Sequence, residues 1–288
     1  MSSLLPDIPA WVAQAPAGER EFRQAVHVLL HAVATSPQLS RSLCMKGGIL
    51  MALHYRSERY TSDIDFSTPD PFTIEAEEEF RDALERALAI APETLGHDLD
   101  CRVQSFKVDP GRDKTFVTLR LKVAYARPST PAHKRLAAGQ GAQVLGLDYS
   151  FNESIPDQEF VEIDDTGTLR VYGLGTLVAE KLRALLQQVV RGRNRRQDIY
   201  DLDFLLRTQP QMQSPSFKAR LLGGLVIKCR ERGVDPAPDT FDDPKVRAHA
   251  EADYSSLVQE LPEGKLPPFE ESFDAVAAFY RSLPWDFS

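Results

Sequence analysis

Cysteine is scarce and scattered in this chain of 288 residues. Cys44, Cys101 and Cys229 lie far apart, are odd in number and show no Cys-x-x-Cys spacing, which excludes a disulfide framework and a cysteine-built zinc site. Long apolar runs are also missing. Nothing reaches the length that crosses a bilayer, and Met1-Ser2-Ser3-Leu4-Leu5-Pro6 has neither the basic start nor the apolar stretch of a secretion signal. These absences point to a cytoplasmic protein with no membrane partner. Positive charge is in deficit, since 34 Lys and Arg against 42 Asp and Glu leave a net charge of −8, and this excludes a protein that coats nucleic acid through its overall field. Trp11 and Trp285 sit near the two ends, where packing is expected rather than base stacking. What remains is an ordinary globular composition, with 42% hydrophobic residues, enough to bury one large core or two smaller ones.

The most informative stretch is Arg59-Tyr60-Thr61-Ser62-Asp63-Ile64-Asp65-Phe66. Strand periodicity sends Asp63 and Asp65 to one face and Ile64 and Phe66 into a core. Two carboxylates about 6–7 Å apart along one strand repel each other unless a cation lies between them. Oxygen ligands of this type suit Mg²⁺, which is commonly held by one or two carboxylates plus substrate phosphates. Upstream, Lys46-Gly47-Gly48 opens a helix through Ile49, Leu50, Leu53 and His54, and glycine there lets backbone amides approach an anion closely.

Apolar spacing predicts a helix over 19–34, a strand over 63–67 and a helix over 73–90. Strands follow over 101–108 and 114–125, joined by the turn Asp109-Pro110-Gly111-Arg112-Asp113, and shorter ones near 144–147, 160–163 and 169–172. In the 114–125 strand Val117, Leu119, Leu121 and Val123 alternate with Thr118, Arg120 and Lys122, so one face is polar and basic. From Gly173 the pattern is helical, over 174–190, 197–206, 216–232 and 270–281. The chain thus divides into an α/β part, residues 1–172, and a helical part, residues 173–288.

A local basic patch lies between Lys181 and Gln197, where Lys181, Arg183, Arg191, Arg193, Arg195 and Arg196 occur without an acidic residue. Arginine suits phosphate because its planar fork contacts oxygens in pairs; a solvated loop is the plainer account of such a run. Lys181 falls on the apolar face of its helix with Val178 and Leu185, so its ammonium either reaches the rim or faces a cleft that holds anions. Asp198 and Asp201 share one face of the next helix. Helix capping accounts for Asp198, while Asp201 pairs with a neighbouring arginine or joins a site. His27 and His31 at i and i+4 read as an ordinary helix face rather than a metal site.

Taken in order, Lys46-Gly47-Gly48, then Arg59-x-Thr61-x-Asp63-x-Asp65-Phe66, then Glu180-Lys181-Leu182-x-Ala184, then Arg196-Gln197-Asp198-x-x-Asp201-Leu202, the motifs resemble those of the AbiEii/AbiGii nucleotidyltransferase toxins of type IV toxin–antitoxin systems, within the polymerase β-like superfamily. The resemblance runs from about Leu43 to Leu206. It implies an α+β fold, with a nucleotidyltransferase-like domain built on a mixed sheet flanked by helices and a helical C-terminal domain contributing Lys181 and Asp198 to the cleft. It implies Asp63, Asp65, Lys181 and Asp198 as the catalytic set, with Mg²⁺ or Mn²⁺ at Asp63 and Asp65. Nucleotide contacts would come from Lys46, Gly47, Gly48, Arg59, Thr61 and Arg196. The implied reaction moves nucleotides from an NTP to the 3′ end of tRNA or another RNA, blocking translation, with a cognate antitoxin from a neighbouring gene. Alternatives within the same motifs are a protein or small-molecule acceptor, or a catalytically weak nucleotide- or RNA-binding protein. Many members of the wider superfamily have serine where Gly48 stands and a third carboxylate on a following strand; the strand over 115–125 has no acid, which leaves Asp198 to compensate.

Overall fold

A computed structural model of the chain describes residues 3–4, 8–164 and 167–285. Its contacts divide it into two compact units. The first comprises Met1–His54, Ser62–Glu153 and Gln158–Val171; the second comprises Tyr55–Thr61, Ser154–Asp157 and Tyr172–Ser288.

The first unit holds β1 (Ser3–Leu4), α1 (Ile8–Ala13), α2 (Arg20–Thr35), α3 (Pro37–Ser42), β2 (Cys44–Lys46), α4 (Gly47–His54), β3 (Asp63–Ser67), α5 (Ile74–Thr94), β4 (Asp100–Asp109), β5 (Thr118–Ala126), α6 (Pro131–Ala137), β6 (Val144–Ser150), β7 (Gln158–Asp164) and β8 (Gly167–Tyr172). The strands form one mixed sheet in the order β1-β7-β8-β2-β3-β6-β5-β4. β3 lies antiparallel to β2 and parallel to β6, and β5 lies antiparallel to both β6 and β4.

Alternation decides which face is covered. Ile64, Phe66, Leu147, Tyr149, Leu119 and Leu121 are all buried on one side, where Phe80 of α5 packs on Tyr149 with ring centroids 4.9 Å apart. Burying a side chain such as Ile64 or Phe66 contributes about 1.5–3 kcal/mol, so a slip of one residue in β3 would expose both and bury two carboxylates instead. The amphipathic helix α2 packs against α5, and α5 is capped by the Thr73 hydroxyl accepting from the Ala76 amide at 3.0 Å.

The second unit is helical, with α7 (Leu174–Arg191), α8 (Arg196–Thr208), α9 (Pro215–Glu231), α10 (Pro244–Glu251) and α11 (Phe269–Arg281). Leu177, Val178, Leu182 and Leu185 of α7 are buried in a core shared with α9 and α10, and α11 packs on α8. α7 ends at Gly192 in the left-handed conformation, φ 58°, and Ser214 with Pro215 starts α9. Two short segments from the α/β part of the sequence are stitched to these helices. The Tyr60 amide donates to the Glu260 carbonyl at 2.7 Å and the Asp157 amide to Thr176 Oγ1 at 2.8 Å.

Candidate active site

On the open face of the sheet, β3 presents Asp63, exposed, and Asp65, half-buried, while Ile64 and Phe66 between and after them are fully buried. The neighbour of β3 on one side is β2, which pairs Lys46 with Asp65. On the other side it is β6, not β5, and β6 pairs Asp148 with Asp65 and Gly146 with Asp63. A third carboxylate therefore does stand beside the pair. Apolar spacing predicts that strand only near 144–147 and leaves the acid-free 115–125 strand as the expected neighbour; the observed β6 runs on to Ser150 and separates β5 from β3. The signal that was present is alternation through Leu145, Leu147 and Tyr149, which sends Gly146 and Asp148 to the polar face.

Two glycines make room for this row. Gly47, the first residue of α4, has φ 74°, and a Cβ built on it would fall inside the Asp65 carboxylate. A Cβ on Gly146 would likewise fall on the Asp63 carboxylate. Glycine is needed at 47 both for the left-handed backbone and for the close approach, so Lys46, Gly47, Gly48, Asp63, Asp65 and Asp148 form one neighbourhood of the first unit. Burial, with Asp63 adding to it, pushes the Asp148 carboxyl above its ordinary range against the opposing pull of Arg120 and Lys46. Arg120 Nε lies 3.6 Å from Asp148 Oδ2.

The donor set of this row is carboxylate oxygen alone, which fits a hard divalent ion such as Mg²⁺ or Mn²⁺. Among the described residues no three His, Cys, Asp or Glu side chains are gathered into a complete metal cage. Asp63 and Asp65 would thus hold such an ion with its remaining ligands drawn from phosphate and water, the usual manner of Mg²⁺.

The second unit builds a separate cluster. Lys181, 6% exposed, donates from Nζ to Asp201 Oδ2 at 2.6 Å and to Asp198 Oδ1 at 3.0 Å. Arg59 grips the same Asp201 with a fork, Nε to Oδ1 at 3.0 Å and a terminal nitrogen to Oδ2 at 3.1 Å, and donates to Glu260 at 2.9 Å. Arg196 reaches the other Glu260 oxygen at 2.8 Å. Burial alone would lower the Lys181 ammonium, but Asp201 and Asp198 outweigh it and hold the group raised; conversely Lys181 and Arg59 keep the fully buried Asp201 below the usual carboxylate range despite its burial. The anions that Lys181 faces are these two aspartates. Asp201 and Glu260 were not among the expected site residues, although the i, i+3 spacing of Asp198 and Asp201 had indicated a shared face. Asp198 Oδ2 is buried without a hydrogen-bond partner, with an Arg195 terminal nitrogen 3.9 Å away. Thr61 is half-buried in the segment that carries Arg59. His27 and His31 are buried, and His27 Nδ1 meets His97 Nε2 at 3.1 Å.

The model of the family described as nucleotidyl transferase AbiEii toxin, type IV toxin–antitoxin system, matches residues 28–278. The chain belongs to this family. Nucleotidyl transfer in a toxin–antitoxin setting is the activity that AbiEii membership supports. Two crystal structures from Helicobacter pylori are similar in fold: JHP933, 15% identical with a TM-score of 0.51 over 90% of this chain and 90% of that one, and a protein named as a candidate nucleotidyltransferase, 16% identical with a TM-score of 0.50 over 90% of this chain and 93% of that one. At these identities the likeness speaks for the fold alone. No curated protein matches the sequence. Among the described residues no helix of this AbiEii member is long and apolar enough to cross a membrane.

Proposed function

We propose that this AbiEii family member transfers nucleotides from an NTP to the 3′ end of tRNA in the cytoplasm, with Mg²⁺ or Mn²⁺ held at Asp63 and Asp65, and that a cognate antitoxin encoded beside it restrains the reaction. The observation that carries the reading is the pairing of Asp65 with Asp148 across adjacent parallel strands, with Asp63 on the same face and Gly47 beneath the Asp65 carboxylate. Asp63 and Asp65 would hold the divalent ion, which would supply charge neutralisation for the triphosphate.

Lys46 and the amides of Gly47 and Gly48 supply positive potential on the β2 side of Asp65, where the β- and γ-phosphates are expected. The acceptor hydroxyl forms a new bond to the α-phosphorus as the bond to the β-phosphate oxygen breaks and pyrophosphate departs. Asp148, which pairs with Asp65 across the adjacent strand on the same face, takes the proton of that hydroxyl. Lys181 and Asp198 complete the proposed catalytic set, with Thr61, Arg59 and Arg196 as proposed nucleotide contacts. Arg59 already donates to three carboxylate oxygens, so a phosphate contact from it exchanges one of those bonds.

Incubating the purified chain with each labelled NTP, Mg²⁺ and total RNA tests the proposal. Label should enter tRNA and vanish in Asp63→Ala. Label in protein would move the acceptor to a protein side chain, and no label under any NTP would remove transferase activity. Expression of the chain alone should slow bacterial growth, with relief in Lys181→Ala; undiminished toxicity in that variant removes Lys181 from the catalytic set.

A further inference from the structure

The open face of the sheet continues past Asp148 onto β5 and β4. Register puts Arg120 beside Asp148 and Lys107 beside Arg120, and in the adjacent row Lys122 beside Gly146, which itself partners Asp63. These three cations point away from the core, because Leu119, Leu121 and Val123 between them are buried. The Lys107 side chain is 72% exposed and that of Arg120 48%, and Lys122 is exposed. The carboxylates that face them are Asp109, 3.2 Å from Arg120 and 3.8 Å from Lys107, and Asp148, 3.6 Å from Arg120. Further along β4, Arg102 and Asp100 pair with each other. Ser105 and Thr118 are the remaining polar residues of these rows on β4 and β5, and no aromatic ring lies among them.

We propose that this β5–β4 flank binds the phosphate backbone of a single-stranded nucleic-acid acceptor and delivers its terminal hydroxyl to the Asp63, Asp65 and Asp148 row. The inference rests on the nucleotidyl-transfer reading and adds where the acceptor lies. In-line displacement places the attacking oxygen and the leaving pyrophosphate on opposite sides of the α-phosphate. Lys46 and the glycine-led α4 lie on the β2 side of Asp65, so a triphosphate tail held there leaves the β6 side for the nucleophile. Strands lie about 4.8 Å apart, so Arg120 stands about 5 Å and Lys107 about 10 Å beyond Asp148, spaced to meet successive phosphates. With charge and no ring to stack on, the flank follows the backbone rather than reading bases. An acidic protein acceptor lacks the regular phosphates that such a row fits.

The test uses the full chain and a fluorescent single-stranded oligoribonucleotide, with binding read by anisotropy across a salt series, together with KM values for RNA and NTP. Lys107→Ala/Lys122→Ala should weaken oligoribonucleotide binding about tenfold and reduce the slope of log affinity against log salt by about 1.4, the value for two lost phosphate contacts. KM for RNA should rise while KM for NTP holds, and the double Lys→Arg variant should restore both affinity and slope. Unchanged affinity and slope in the alanine variant would overturn the proposal, as would equal binding of polyglutamate lost by the same substitutions. Oligoribonucleotide binding is read without turnover, so a wild-type chain that transfers nothing counts against the transferase reading and not against the flank.

Discussion

Asp201 and Asp198 sit three residues apart on α8 and share Lys181, yet the structure assigns them different work. Asp201 is fully buried and accepts three hydrogen bonds, two from Arg59 and one from Lys181. Asp201→Asn removes the charge that holds two buried cations together while preserving shape. Breaking a buried ion cluster by neutralising one member typically costs about 3–5 kcal/mol, because the remaining charges lose their compensation. Asp198 accepts one bond, from Lys181, and its second oxygen has no hydrogen-bond partner. Asp198→Asn keeps an acceptor for Lys181 and places an amide where nothing is bound, a change on the order of 1 kcal/mol. At roughly 2–4 °C per kcal/mol for chains of this size class, the first substitution should lower the thermal midpoint by about 6–20 °C and the second by about 2–4 °C. Calorimetry at neutral pH, with helical content followed in parallel, measures both. Equal shifts in the two variants, or a shift below about 2 °C for Asp201→Asn, would refute the reasoning that Asp201 anchors the second unit.

The same cluster sets a pH dependence with a definite sign. Asp201 titrates below its ordinary value of 3.8, so its contribution is present above that value and lost as pH falls through the depressed one, and Lys181, raised from 10.5, contributes below that value and loses it as pH rises beyond; acid titration of Asp201→Asn should therefore show a shallower acid limb than the wild type, and an identical limb would contradict it. Gly47→Ala forces a Cβ into the Asp65 carboxylate and a left-handed backbone on alanine; it should cost at least about 1–2 kcal/mol in stability and, by displacing Asp65, about 100-fold in transfer, read by thermal melting and by the labelled-NTP assay. Asp148→Asn should leave the thermal midpoint nearly unchanged, since the side chain is 38% exposed, and lower transfer by about 10²–10⁴-fold. Full activity in that variant would remove Asp148 from the reaction.

Much of the fold was legible in the sequence. α2, α5, α7, α8, α9 and α11 and the strand Asp63–Ser67 fall where hydrophobic period places them, because each buries one continuous face. The short helices α3, α6 and α10 were missed, although Ser36-Pro37, Thr130-Pro131 and Asp243-Pro244 carry the capping residue followed by proline that opens each one. Their six to eight residues are too few for a period to register. β2 was missed for a different reason. Three residues have no alternation to read, and Cys44–Lys46 is a strand because β3 and β8 supply partners on both sides.

The candidate site divides along the same line. Asp63 and Asp65 were legible because a strand of period two must put both on the face opposite Ile64 and Phe66, and the inward position of Lys181 followed from the helix stripe in the same way. What tertiary structure alone decided is who stands next to them. Strand order is a long-range property: that β6 rather than β5 lies beside β3 depends on how the whole sheet is arranged, and it is this that supplies Asp148. The partners of Lys181 are likewise set by packing of α7 against α8 and by Arg59 from a segment 142 residues away from Asp201. Local periodicity fixes the direction of a side chain, whereas the charges that direction meets belong to segments the local sequence does not contain.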